Sequence, residues 1–255
     1  MAIKKILTLL TAGLLFGCTH YYYVPNVQNV PLFKQNNEYR LSIISGFGES
    51  SFSKEIQAAY SVTNHFGVMA NFISAKDLEN DAYSWGKGTY FEGAVGYFKP
   101  FGKSKVFEIY GGVGGSKQNH QYRPEMIDTN NSAGTSELSF TRLFLQPSIG
   151  LTFNAFDIAL STRICRLSFN NINNQIDRIS NEYEFNKLNS IVQNKNFIFF
   201  EPALTIRSGW EYLKVQLQGE IESYFNNGKY SFDEFHISIG LYGAISARYL
   251  KNAPK

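Results

Sequence analysis

Twelve charged residues fall at alternate positions of segments that have the pattern of β-strands, opposite the apolar side chains of those segments. The seven acids and five bases are Glu55, Glu92, Glu108, Asp157, Glu201, Glu220 and Glu222, with Arg40, Arg142, Arg163, Arg207 and Lys214. Charges that share a narrow interior must be paired or hydrated, because an isolated buried charge is very costly. These residues therefore predict a lumen lined by an ion-pair network, or else a narrow polar path for ions and small solutes.

Other patterns that could carry chemistry are weaker. His20, His65, His120 and His236 do not have the spacing of metal ligands, so we expect no metal site and no cofactor. The glycine-rich run at residues 111–117 is superficially like a phosphate-binding loop, but it lacks the G-K-[ST] ending and no helix pattern follows it. The sequence shows no Ser-His-acid motif of a hydrolase. We therefore expect a protein that is not an enzyme.

The elements that carry the charged residues are strands with a period of two. In residues 213–222 the apolar side chains of Leu213, Val215, Leu217 and Ile221 alternate with polar ones, which indicates a strand between two different environments. The same alternation predicts ten strands, near 38–47, 53–62, 65–75, 88–99, 104–117, 138–153, 156–168, 197–208, 211–224 and 234–249. A short helix is expected within residues 172–192.

The connections between these strands alternate in length. Short turns are predicted at 63–64, 101–103, 154–155 and 209–210, and the longer polar stretches are 76–87, 118–137, 169–196 and 225–233. The first connection on the long-loop side, near 48–52, is also short. A meander with short turns at one end and long loops at the other resembles a bacterial outer-membrane barrel. The resemblance implies an all-β, antiparallel up-and-down transmembrane β-barrel of about ten strands, with eight as the alternative.

The aromatic residues and the strand number also resemble those of outer-membrane barrels. Aromatic residues near the predicted short-turn ends of strands suit a membrane interface: Tyr39, Phe66, Phe98, Phe101, Phe153, Phe156, Trp210, Tyr212 and Tyr249. The strand number also resembles the omptin proteases, whose site uses Asp and His at the extracellular rim. Candidates would be His120, Asp128 and Asp233, although no paired-Asp or Asp-His motif is visible.

The N-terminus has the features of an export signal. Lys4 and Lys5 precede an apolar stretch of ten residues, which is too short to span a bilayer. The sequence Leu15-Phe16-Gly17-Cys18 resembles a bacterial lipobox, which implies cleavage before Cys18 and acylation of Cys18, palmitate being the expected kind of chain. The predicted domains are a signal peptide at 1–17, a lipidated tether at 18–37, the barrel at 38–250 and a tail at 251–255. With its VPNVQNVPLF stretch, this layout resembles small outer-membrane proteins of Bacteroidota-type bacteria.

Composition limits the function classes. A net charge of +3 over 255 residues is too small for an electrostatic nucleic-acid binder, and two cysteines cannot make a disulfide-dense scaffold. The expected localisation is the bacterial outer membrane, with a lipid anchor on the side of the short turns. Expected partners are outer-membrane lipid, the barrel-insertion machinery and an extracellular partner bound through the loops near 76–87, 118–137 and 169–196.

Three functions remain open at this stage. The first is a structural or surface-interaction role without enzymatic activity, and the second is a narrow pore for ions or small polar solutes. The third is a lipid-tethered, soluble, lipocalin-like barrel that binds an apolar ligand, because a period of two does not say which face of a strand points inward.

Overall fold

Alternating side chains place the apolar residues of each strand on one face and the polar residues on the other, and the structure shows which face is outside. The computed structural model describes residues 20–78, 81–125, 132–225 and 232–246. Its strands are β1 (Glu38–Phe47), β2 (Ser51–Ser61), β3 (Phe66–Asp77), β4 (Trp85–Phe101), β5 (Lys105–Tyr122), β6 (Gly134–Thr152), β7 (Phe156–Ile176), β8 (Asn196–Gly209), β9 (Leu213–Ile221), β10 (Ser223–Tyr224) and β11 (Phe235–Ser246), with one helix, α1 (Glu182–Gln193), between β7 and β8.

The strands form one closed sheet. Each strand pairs antiparallel with its neighbours in the chain, and β1 pairs with β11 from Glu38 opposite Ser246 to Phe47 opposite Ile237. Segments β9 and β10 flank Glu222 and both pair with β8, so together they make one crossing. The result is a ten-stranded barrel with short turns at one end and long loops at the other. This confirms the predicted antiparallel up-and-down barrel.

The outer surface of the barrel is apolar. Ile43, Val95, Leu160 and Leu241 are more than half exposed, whereas the polar residues between them are buried in the lumen. A closed sheet pairs every ladder group internally, which is the condition for a β-structure to lie in hydrocarbon. The lipocalin-like alternative is therefore wrong, because it requires the apolar faces to point inward.

The wall of the barrel has unequal height. Strands β1–β3, β9 and β11 have 9–12 residues, close to the roughly 9–11 that cross a bilayer when tilted, whereas β4–β8 have 14–21. The predicted strands stopped at 117 and 168 because residues beyond them are polar on both faces. The Asn-rich stretch nonetheless continues the ladder, with Asn174 opposite Ser136. The helix predicted within residues 172–192 begins only at Glu182, because β7 continues to Ile176.

Helix α1 covers the long-loop end of the barrel. It begins after Asn181, whose side chain accepts a hydrogen bond from the backbone N–H of Glu184, and it buries Leu188 and Ile191 against the structure below. None of the described helices is long and apolar enough to cross a bilayer.

The aromatic residues at the short-turn end are mostly on the outside. Tyr39, Phe66, Phe101, Phe153, Phe156, Trp210 and Tyr212 are exposed there, as an interfacial girdle requires. Phe98 is the exception, because its ring is fully buried and packs 5.4 Å from the ring of Phe33 inside the barrel. Tyr249 lies outside the described residues.

Placing a charge on the lipid-facing surface should destabilise the barrel. We expect Leu241→Arg, near the middle of β11, to cost about 2–4 kcal/mol of unfolding free energy, since the guanidinium would lie at the depth of the hydrocarbon. The matched control is Asn173→Arg, on the exposed face of the tall β6–β7 hairpin, which should cost close to zero. Urea unfolding from lipid vesicles measures both, and an equal cost for the two variants would contradict the membrane placement.

Candidate functional site

The twelve charged residues singled out in the sequence all have their side chains inside the barrel. Each is at most 9% exposed, and Glu108, Arg142, Arg163 and Glu201 are completely buried. Inside, however, they do not face an open channel. They face a segment of this same chain.

The N-terminal residues 20–33, called the plug below, run through the lumen from one end to the other. His20 contacts Asp77 at the long-loop end of β3, whereas Phe33 packs against Phe98 near the short-turn end of β4. Lys34 then leaves the lumen and donates to the carbonyl of Thr152. The expectation of a tether on the short-turn side is therefore wrong for these residues. Cys18 and the signal peptide lie outside the described residues.

The plug has no regular hydrogen-bonding partner strand, so its backbone groups need side-chain partners. The lumen supplies them. Glu55 accepts from the N–H of Val27 at 3.2 Å, and Glu108 accepts from the N–H of Phe33 at 3.1 Å. Arg207 donates to the carbonyl of Val30 at 2.8 Å. The polar lumen thus does for an extended segment what a neighbouring strand would do in a sheet.

Two arginines hold the middle of the plug. Arg163 donates to Glu201 at 2.6 Å and to Glu220 at 3.1 Å, and it also donates to the backbone carbonyl of Asn26 at 2.7 Å. Arg142 donates to Glu92, to the side-chain oxygen of Asn26 and to the hydroxyl of Tyr23. Charged groups that are fully removed from water are tolerable only when paired and hydrogen-bonded in this way. Asn26 is the residue of the plug that both guanidinium groups share.

The remaining predicted lumen residues lie around this centre. Lys214 pairs with Asp157 at 2.7 Å, and Arg40 donates to the carbonyl of Pro31 at 3.1 Å. Both carboxylate oxygens of Glu222 are buried and have no partner among the described residues.

Sequence reasoning missed the plug as a functional element. Gln28 exchanges two hydrogen bonds with Gln218, at 2.7 and 2.9 Å, and Asn29 donates to Asn71 at 2.8 Å. The composition carried a signal: residues 25–31 contain two prolines, which have no N–H and so need no acceptor for it, and three amides, which both donate and accept. Such a segment suits a polar tube.

The cavities beside the plug are small. One near the long-loop end, lined by Asp77, Gly86 and His120, has a volume of about 40 Å³, and one near the short-turn end, lined by Lys34 and Asp157, is of the same size. Each has room for a few water molecules and none for an organic solute.

A histidine cluster lies at the long-loop end of the plug. The Nδ1 atom of His20 is 2.7 Å from Asp77 Oδ2, its Nε2 atom is 3.3 Å from the hydroxyl of Ser84, and His120 lies beside it. The sequence spacing gave no metal site because these residues belong to separate segments of the chain. The structure nevertheless brings the ligand atoms of His20, Asp77 and His120 within 4.8 Å of one another.

Groups outside the membrane surround this cluster. Lys187 on α1 donates to the carbonyl of His20 at 2.6 Å. Burial lowers the pKa of its ammonium group, although Glu184 beside it opposes the shift.

Of the omptin-type candidates, Asp233 accepts from Ser51 at 2.7 Å and its burial raises its pKa to about 6. Asp128 lies outside the described residues.

Comparison with known proteins identifies no family. No protein-family model and no curated protein matches the chain. Among solved structures, the outer membrane protease OmpT from Escherichia coli is 8% identical, with 86% of this chain and 99% of that chain covered and a TM-score of 0.48. The translocator domain of the autotransporter NalP from Neisseria meningitidis is 8% identical over 95% and 94%, with a TM-score of 0.46. The N-terminal β-barrel domain of Pseudomonas aeruginosa OprF is 12% identical over 83% and 99%, at 0.32.

These likenesses concern the fold alone, and they correct one prediction. The expectation, drawn from the lack of catalytic motifs, that the chain is not an enzyme is contradicted, because an outer membrane protease is among the structural neighbours. The likeness assigns no activity to this chain. The sequence shows no Ser-His-acid motif, but the fold brings Ser84, His20 and Asp77 together in that order in space.

Proposed function

We propose that this protein is an outer-membrane barrel that its own N-terminal segment closes, and that it displays an acylated N-terminus and its long-loop end at the cell surface for binding a partner. The observation that carries the proposal is the course of the plug, which enters the lumen at the long-loop end and leaves at the short-turn end. In outer-membrane barrels the long loops face the outside of the cell.

The position of His20 bears on where a lipid on Cys18 would be. His20 lies at the long-loop end of the barrel, and we therefore propose that end for a lipid attached two residues earlier in the sequence. Tyr21 donates to Glu49 at 2.7 Å, in the short connection between β1 and β2, where the wall is low. An acyl chain that leaves over this low rim would enter the outer leaflet. This replaces the expected anchor on the short-turn side.

The long-loop end offers a surface for a partner. The described parts of the connections near 76–87, 118–137 and 169–196 lie at this end, and Ile179 and Tyr183 are 95% and 60% exposed there. Outer-membrane lipid would contact the apolar wall, and the barrel-insertion machinery would assemble it. A pore, the alternative from the sequence, would require the plug to leave the lumen.

Epitope accessibility tests the course of the chain. An epitope inserted directly after Cys18 should bind antibody on intact cells, because the plug enters from the outside. The matched control carries the epitope after Lys255, and it should bind only after the cells are permeabilised, since β11 ends at the short-turn side. An N-terminal epitope that is hidden on intact cells would overturn the proposal.

Acylation is tested separately. Cells fed an alkyne-bearing fatty acid should give a labelled protein, and Cys18→Ala should abolish the label. Labelling that persists in Cys18→Ala, or that is absent from the unaltered protein, would remove the lipid from the proposal and leave the course of the plug intact.

A further inference from the structure

The histidine cluster at the long-loop end joins three separate segments of the chain. His20 belongs to the plug, Asp77 is the last residue of β3, and His120 lies near the end of β5. All three residues are less than one tenth exposed. Their ligand atoms lie within 4.8 Å of one another.

The second nitrogen of each imidazole supports this arrangement. The Nε2 atom of His20 faces the hydroxyl of Ser84 at 3.3 Å, and the Nε2 atom of His120 lies 3.5 Å from the side-chain oxygen of Gln118. Histidines that bind metals usually donate this other N–H to an oxygen, which leaves the first nitrogen free to bind. In both residues the other nitrogen is Nδ1: that of His20 contacts Asp77 Oδ2 at 2.7 Å, and that of His120 makes no hydrogen bond among the described residues.

The Nδ1 atom of His120 is buried and makes no hydrogen bond among the described residues. A buried polar atom without a partner costs free energy, and in a native structure it commonly indicates a missing water or ion. A cation at this point would satisfy that nitrogen and the carboxylate of Asp77 together.

Gly86 leaves the space that such an ion needs. A Cβ atom built on Gly86 would lie 2.2 Å from Asp77 Oδ2 and 2.5 Å from His120 Nδ1. The point between the two atoms is therefore empty only because residue 86 has no side chain. The adjoining cavity of about 40 Å³ has room for coordinating water.

We propose that His20, Asp77 and His120 bind one divalent transition-metal ion, Zn²⁺ being the ion that two imidazoles and a carboxylate fit best. Two nitrogens and one oxygen from the protein leave a coordination position for water. The ion would fasten the outer end of the plug to β3 and β5. This inference does not depend on acylation of Cys18.

The same residues could instead form a Ser84–His20–Asp77 relay for nucleophilic catalysis. That arrangement needs a proton on Nδ1 of His20, donated to Asp77, and it leaves Nδ1 of His120 unpartnered. A bound ion would instead be coordinated by Nδ1 of His20 and by Nδ1 of His120. The small cavity also favours an ion and its water over an acyl substrate.

Metal titration of the full chain, refolded in detergent and freed of metal with a chelator, tests the proposal. Zn²⁺ should bind at one equivalent by calorimetry, and Co²⁺ should give a visible absorption band. His120→Gln, which keeps the volume of the side chain, should weaken binding more than the roughly 10- to 100-fold that substitution of a supporting residue costs. The matched control is His236→Gln, a buried lumen histidine on β11, which should leave binding unchanged.

Filling the space at Gly86 gives a second test that removes no ligand. Gly86→Ala should weaken Zn²⁺ binding to the same degree as His120→Gln, while Gly93→Ala, where a Cβ meets nothing closer than 3.8 Å, should not. Both variants should keep the heat-dependent gel shift of a folded barrel. Absence of saturable binding by the unaltered chain would overturn the proposal. Labelling of Ser84 by a fluorophosphonate probe that Zn²⁺ does not prevent would also overturn it, in favour of the relay.

Discussion

Replacing Arg163 with methionine should lower the free energy of unfolding by about 3–5 kcal/mol, which is the cost of removing one partner of a buried ion pair. The guanidinium of Arg163 holds Glu201 and Glu220, and it also binds the backbone of the plug at Asn26. Methionine has a similar volume, so the variant leaves no large cavity. The loss would come from two carboxylates that remain buried without their main partner.

Arg166→Met is the control for this experiment. Arg166 is on the same strand, three positions further along, but its side chain is exposed. We expect its substitution to change stability by less than about 0.5 kcal/mol. Adding Glu201→Gln and Glu220→Gln to Arg163→Met should recover part of the loss, because fewer charges stay unpaired. Equal losses for Arg163→Met and Arg166→Met, measured by urea unfolding in vesicles, would show that the network does not hold the plug.

Replacing plug residues 23–30 with glycine and serine should convert the barrel from closed to conducting. These residues include Tyr23 and Asn26, which occupy the middle of the lumen, and flexible small residues could not keep the same contacts. The charged wall would then line a hydrated path. In planar bilayers we expect stable current steps from this variant and a flat baseline from the unaltered protein. A smaller change, Tyr23→Gly with Asn26→Gly, should give fewer and smaller steps.

The control for conductance replaces residues 34–37 with the same glycine and serine residues. This stretch is exposed outside the lumen, so the barrel should stay closed. The heat-dependent gel shift establishes that each variant is folded. Current steps from the unaltered protein, or a closed baseline from the folded 23–30 variant, would contradict the plugging role.

Alternation along single strands was enough to predict the strands and to place Arg163 and Glu201 on the polar face of theirs, because a strand gives each side chain one of two directions. The alternating loop lengths, and not the period of two, favoured a membrane barrel and therefore an inward position for these charges. The ends of β5 and β7 could not be predicted, since strands above the bilayer have polar residues on both faces and lose that period. Phe98 was predicted at the interface because its neighbours belong there, and only the presence of Phe33 in the lumen explains its burial.

The position of the plug depends on contacts between residues far apart in the chain. Asn26 meets Glu92, 66 positions away, and Arg163, 137 positions away. No local pattern in residues 19–37 encodes those partners. The histidine cluster was missed for the same physical reason, because its ligands converge only when the plug lies inside a closed wall.

The seam between β1 and β11 also sets an order of events in assembly. The strand that begins at Glu38 follows the plug directly, and its partner β11 is the last strand of the barrel. A finished ring would have to admit a chain whose bulky Tyr22, Tyr23 and Phe33 fill its bore, whereas an open sheet can curl around that chain. We therefore expect β1 and β11 to pair only after residues 20–33 lie across the open sheet, so that the barrel closes around its own N-terminal segment.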